Sequence, residues 1–204
     1  MIPLQHSYDR KSVVKENMTI MKKDRVIHVA PSVYEERIEI GEREQVIIFI
    51  DGARKLTLEI VLAGSDASLE VIGRFRGTGE DRQEIILRII QQAPRTSARV
   101  DFRAALSDAS FSSFDGLIRV EEGAAEARGF LSYKALLLSA GARAKPIPRL
   151  EVLTKDVASL GHAASVGKLD EDQLFYLQSR GISRADAGHL IIQGFLGIPT
   201  LTQT

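Results

Sequence analysis

Four histidines, one glycine-rich stretch and several groups of adjacent carboxylates are the residues of this chain whose types could do chemistry. Gly73-Arg74-Phe75-Arg76-Gly77-Thr78-Gly79 has the glycines of a phosphate-cradling loop. A phosphate loop needs Lys-Ser/Thr after its last glycine, and Glu80-Asp81 follows here, which repels phosphate. The stretch reads as a turn between strands, and the chain is not itself an ATPase. Glu35-Glu36, Glu121-Glu122 and Asp170-Glu171-Asp172 could suggest glycosidic acid–base chemistry, which β-solenoids can host. That chemistry needs two carboxylates facing each other across a cleft, whereas neighbours along a strand point to opposite faces. Solvated surface is the better reading, and the last run fits a helix N-terminus, where negative charge is favoured.

The histidines are His6, His28, His162 and His189, and no two have metal-ligand spacing. His6 sits in a terminal tail, His28 in a strand-like segment and His189 in mid-helix. His162 lies in the small-residue stretch Gly161-His162-Ala163-Ala164-Ser165-Val166-Gly167, where another surface can approach closely. The chain contains no cysteine, so disulfides and thiolate metal sites are excluded within it.

These residues rest on two textures. From Arg25 to about Leu153, short segments alternate apolar and polar residues with the period of a half-buried strand. Arg37-Ile38-Glu39-Ile40, Ser68-Leu69-Glu70-Val71 and Ala98-Arg99-Val100-Asp101-Phe102 show it clearly. The continuous run Val46 to Ile50 predicts a strand buried on both faces. Asp51-Gly52, Gly64-Ser65-Asp66, Gly77-Thr78-Gly79, Asp115-Gly116 and Glu122-Gly123 predict turns. The spacing fits a sandwich, a barrel or a β-solenoid, and no fixed repeat decides among them. From Leu169 the period becomes helical. Asp170 and Ser183 are expected N-caps, Gly181 a stop, and Ala187, Leu190, Ile191, Gly194 and Phe195 a buried face ending at Gly197 and Pro199. Three units follow: an arm or short helix over 1–24, a β core over 25–160 and a helical hairpin over 161–204.

Lys and Arg total 27, as do Asp and Glu, so no global field favours nucleic acid or an anionic membrane. The N-terminus has no signal-peptide pattern, and no apolar run is long enough to span a bilayer. A cytoplasmic protein is expected.

Pro148-Arg149-Leu150-Glu151-Val152, Asp156-Val157 and the run from Gly161 to Ile182 resemble the C-terminal signature of the SufB/SufD family. In that signature a P-x-L-E-I segment is followed by a cysteine–histidine segment and then by L-D-E-x-Q-L-F-Y-L-x-S-R-G-I. Upstream, Phe114-Asp115-Gly116-Leu117-Ile118-Arg119-Val120 resembles a family strand. The resemblance implies a mainly β fold, a right-handed parallel β-helix with a small C-terminal helical domain. It implies a non-catalytic scaffold or adaptor of a SUF-type iron–sulfur cluster assembly complex. Its partners would be a SufC-like ABC ATPase docked on the hairpin and a SufB-like paralogue, or a second copy, paired through the β-helix. Leu174, Phe175, Tyr176 and Arg180 are the candidate docking residues, although Leu174 and Phe175 could equally be hairpin core. No cofactor would be bound firmly, but a transient cluster could be shared with a partner.

Three departures sharpen this. The chain is short for the family. The Asp156 to His162 spacing is one residue longer than the pattern. Leu160 stands where the family often has cysteine, so His162 is the sole candidate ligand. The chain therefore resembles SufD more than SufB. The alternative is a structural or interaction protein that keeps the fold without cluster binding.

Overall fold

The computed structural model describes residues 24–29 and 34–197. Among the described residues eleven strands precede two helices: β1 Asp24–Val29, β2 Tyr34–Ile40, β3 Gln45–Asp51, β4 Lys55–Leu62, β5 Ser68–Gly77, β6 Arg82–Gln91, β7 Ser97–Leu106, β8 Phe111–Val120, β9 Ala127–Leu137, β10 Arg143–Val152, β11 Val157–Lys168, α1 Glu171–Ser179 and α2 Arg184–Leu196. Every strand pair is parallel. Odd strands form one sheet in the order β1-β3-β5-β7-β9-β11, and even strands form the other in the order β10-β8-β6-β4-β2. The chain thus winds as a solenoid, the architecture expected from the resemblance.

Alternation along each strand explains the winding. In β8 every second residue is buried, and the same holds in β5 and β6. A period of two puts one face inside and the other in solvent. Since parallel partners stand in register, each inward residue lies about 4.8 Å from its counterpart in the next coil. One continuous core results, running from Val29 and Ile38 to Ala135 and Ala142.

Its centre is aromatic. Phe102 and Phe114 lie 5.1 Å apart and Phe114 and Tyr133 5.3 Å apart, in geometries that aromatic pairs favour. Glycines make the room: a methyl group on Gly73 would overlap the Phe102 ring, and one on Gly116 would press on Phe114 and Leu131. A polar thread runs beside the rings. Tyr133 Oη donates to Ser112 Oγ at 2.9 Å, Ser112 Oγ to Gln83 Oε1 at 3.0 Å, and Gln83 Nε2 to Ala53 O at 2.7 Å. Burial pushes the Tyr133 phenol up to about 12, and its bond to Ser112 pulls the other way. The polar groups of this thread are thereby partnered, as a low-dielectric core requires.

One corner of the coil repeats a left-handed turn. Arg43, Asp66, Arg95 and Glu126 all have φ between 55° and 63°. Their amides bond to the next coil's turn: Arg43 N to Ser65 O, Asp66 N to Pro94 O, Arg95 N to Ala125 O and Glu126 N to Asp156 O. The side chains alternate in sign down the column, and Arg95 grips both oxygens of Asp66 at 2.8 and 2.9 Å.

Five expectations are corrected. The buried face of α2 is made by Ala187, Ile192 and Leu196, whereas Leu190 and Gly194 of the expected face are exposed. Val46 to Ile50 is not buried on both faces, because Ile47 and Phe49 are only half-buried on the outer face of β3. Gly73 and Gly77 lie within β5 and not in a turn; they face inward, where bulkier neighbours fill their space, and the turn is confined to the residues after Gly77. Asp115-Gly116 likewise sits in the middle of β8. The core does not stop at residue 160, since β11 continues to Lys168 and the hairpin starts at Glu171. Apart from Asp24, the 1–24 arm, with His6, lies outside the described residues, as does Pro199.

Gly73→Ala should lower stability by about 1–3 kcal/mol through overpacking against Phe102. Urea denaturation measures it, and an unchanged midpoint would contradict this packing.

Candidate functional site

The hairpin is built from local signals. Asp170 caps α1, its Oδ1 accepting from the Asp172 amide at 2.9 Å, with Glu171 and Asp172 in the first turn. Ser183 caps α2, its Oγ accepting from the Asp186 amide at 3.1 Å. Gly181 and Gly197 take positive φ values of 85° and 69° at the two helix ends. A shallow cleft between the helices is lined by Asp172, Gln173, Tyr176, Leu177 and Ile191.

The four hairpin candidates separate by burial. Leu174 is 2% exposed and belongs to the hairpin interior, whereas Phe175 is 73% and Tyr176 57% exposed. Arg180 lies over the Tyr176 ring at 5.3 Å, a cation–π contact. An aromatic pair left in water beside a guanidinium is an unusual surface, since such residues typically anchor interfaces.

His162 is exposed and sits in β11, the last strand of its sheet. Leu160, His162, Ala164 and Val166 stack on positions 129, 131, 133 and 135, which face the interior of β9. His162 therefore points to the end of the core, where no further coil among the described residues covers it. Across the same end, Ala144, Pro146, Pro148, Leu150 and Val152 stack on the inward positions of β8. This end is apolar, with His162 its one imidazole. No group of three or more His, Cys, Asp or Glu among the described residues could hold a metal ion. A lone imidazole cannot hold an iron–sulfur cluster, and thiolate chemistry would have to come from another chain.

The two terminal strands have different free edges. Arg143 N donates to Ser110 O at 3.0 Å and Leu153 N to Val120 O at 2.9 Å, so odd-numbered amides of β10 turn toward β8. Pro146 and Pro148 occupy outward-facing positions, where their missing donors interrupt the edge. In β11, Leu169 N donates to Leu137 O at 3.1 Å. By alternation the amides and carbonyls of Leu160, His162, Ala164, Val166 and Lys168 point away from β9, and no proline blunts them. Small residues flank this row, so another backbone can come close.

Sequence reasoning missed how the hairpin is fastened. Arg103 Nη1 donates to Phe195 O at 2.8 Å, and Arg74 Nε donates to Leu196 O. Asp101 joins the two arginines: its Oδ2 accepts from Arg74 Nη2 at 2.8 Å and lies 3.1 Å from Arg103 Nε. Burial pushes the Asp101 carboxyl up, but the bonds from Arg103 and Arg74 outweigh it and hold it below the usual carboxylate range. The stabilisation is therefore present at neutral pH and is lost as pH falls through that lowered value. The residues lie 92 and 122 positions apart, and only the Arg-Asp-Arg content of β5 and β7 could have hinted at the contact.

Residues 44–195 match the SufBD core domain of the SUF system for FeS cluster assembly. This chain belongs to the SufB/SufD family. It is 35% identical over 131 residues to the iron–sulfur cluster assembly protein SufD of Bacillus subtilis, covering 64% of this chain and 29% of that protein. It is 34% identical over 144 residues to an iron–sulfur cluster assembly SufBD family protein of Mycobacterium tuberculosis, covering 66% of this chain and 35% of that one. A longer SufBD family protein of Mycobacterium leprae is 30% identical over 166 residues, covering 78% and 18%. The chain thus spans between 18% and 35% of the length of these curated relatives. The SufBD core match starts at the approach to β3 and ends inside α2, so it takes in the hairpin, the His162 strand and the arginines that fasten them. No described helix is long and apolar enough to cross a membrane.

Proposed function

We propose that this chain is a non-catalytic, SufD-like scaffold or adaptor subunit in cytoplasmic iron–sulfur cluster assembly. The observation that carries the reading is the solvent-facing Phe175, Tyr176 and Arg180 surface on a braced hairpin in a SufB/SufD family chain. This surface docks a SufC-like ABC ATPase. Leu174 supports it from beneath. Aromatic side chains bury much area for little lost conformational freedom, and arginine is enriched beside them where interfaces are anchored.

Pairing uses the last coil. Its end exposes apolar positions and its β11 edge exposes backbone groups, and a SufB-like paralogue or a second copy satisfies both. Edge-to-edge strand addition supplies the hydrogen bonds, and side chains at the open end select the partner. His162 then faces the junction. Any cluster formed there takes its thiolates from the partner and at most one imidazole from this chain.

A second reading, a structural protein with the fold but no cluster role, is favoured by the lack of cysteine. Anaerobic reconstitution with a cysteine-bearing SufB-like partner separates the two. His162→Ala should lower cluster yield or shift its spectrum; an unchanged yield and spectrum remove the ligand role.

Intact protein should capture a SufC-like ATPase in a pull-down. Replacing Phe175 and Tyr176 by Ala should weaken capture by about 2 kcal/mol or more, roughly thirtyfold. Failure of the folded wild type to bind would reject the docking surface. Ala164→Pro removes an amide that points away from β9, so the fold should persist while pairing in sedimentation analysis is lost. Pairing undiminished in a folded Ala164→Pro protein would place the interface elsewhere.

A further inference from the structure

The hairpin meets the solenoid through a small joint. Ala105 of β7 packs with Ile192 and Leu196 of α2, with Leu138 and Phe195 at the margin, apart from the main core. Packing of this kind is greasy and weakly directional, so it does not by itself fix the angle at which a helix sits. The polar contacts beside it do.

A helix ends with carbonyls that have no partner in the helix and with a partial negative charge. At the end of α2 the Gly197 amide turns back to Gln193 O and Gly194 O. Phe195 O and Leu196 O are left pointing outward. The last turn of α2 has no basic residue of its own. The sheet supplies two. Arg74 and Arg103 are register partners in adjacent strands, on the outer face. Like charges in that position repel, and here the repulsion is answered twice. Asp101 lies between the guanidiniums, and each guanidinium also reaches a carbonyl of the helix end. Arg74 is further fixed by bonds to Gly73 O at 2.7 Å and Asp101 O at 2.8 Å. Both arginines and Asp101 are largely shielded from solvent. Two donors from adjacent strands, aimed at two successive carbonyls, define a direction as well as a distance.

We propose that Arg74, Asp101 and Arg103 form a clasp that sets the stance of the hairpin on the solenoid and passes load between them. The three are positioning residues and touch no partner themselves. The load-passing part rests on the docking reading above, whereas the stance does not. Since α1 packs against α2 and α2 against β7, a force applied at Phe175 and Tyr176 enters the sheet beside this clasp.

The test uses Asp101→Asn and, separately, Arg74→Met with Arg103→Met. Hydrogen exchange on the free chain should speed up about tenfold across 171–197 and stay unchanged in β5 and β7. Because the chain has no cysteine, Gln178→Cys and Lys145→Cys give two unique spin-label sites. Dipolar distance measurements should give one narrow distribution in the parent and a broad one in either clasp variant. Unchanged exchange and an unchanged distribution would overturn the proposal, as would acceleration spread equally over the strands. With an ATPase partner added, the Asp101→Asn chain should bind within about twofold of the parent. If the parent fails to bind, the docking reading falls, and the two measurements on the free chain still judge the clasp.

Discussion

In a parallel solenoid the hydrogen bonds of each strand run along the coil axis, so every coil depends on its neighbours for backbone partners and for half of its core. The last coil has a neighbour on one side only. Here that coil is β10 and β11, and the dependence shows in both strands. β10 carries prolines at positions where a donor would otherwise be left without a partner. β11 keeps its outward donors and lines them with glycine, alanine and serine. One edge is blunted and the other is open, so the fold gives the end of the molecule a polarity. The hairpin leaves from this same coil and folds back over β7.

The parts of the structure written in neighbouring residues were legible in the sequence. Asp170, Gly181, Ser183 and Gly197 act within a few positions of themselves, and each performs its expected capping or stopping role. Strands with apolar-polar contrast, such as that containing Leu69 and Val71, were equally plain. β11 was hidden because contrast is what periodicity detects, and Gly161, Ala163, Ala164, Ser165 and Gly167 offer little. The pairing of coils was hidden for another reason. Asp24 stands beside Gln45, 21 positions on, whereas Phe111 stands beside Arg143, 32 positions on. A repeat whose length drifts this far leaves no period to find. The resemblance to a known family supplied what spacing could not.

Glycine misled for an instructive reason. Gly73, Gly77 and Gly116 have the look of turn formers in the sequence, yet each occupies an inward position in a strand. Core volume decides their presence: Gly73 leaves room for Phe102, Gly77 for Phe75 and Leu106, and Gly116 for Phe114 and Leu131. The clasp on α2 was out of reach for local reasoning altogether, because its partners meet only after the chain has wound back on itself. Site and scaffold were thus legible to different depths, and the boundary between them runs where contacts become long-range.

The corner column of Arg43, Asp66, Arg95 and Glu126 carries a consequence for how such a chain can change length. Each turn sits directly over the next, and the signs alternate. Removing the single coil that bears Arg95 would set Asp66 against Glu126. Inserting one copied coil would set like upon like. Gain or loss of two coils together restores the alternation. The column therefore keeps parity, so a chain that grows or shrinks by whole coils meets less electrostatic resistance when it does so in pairs.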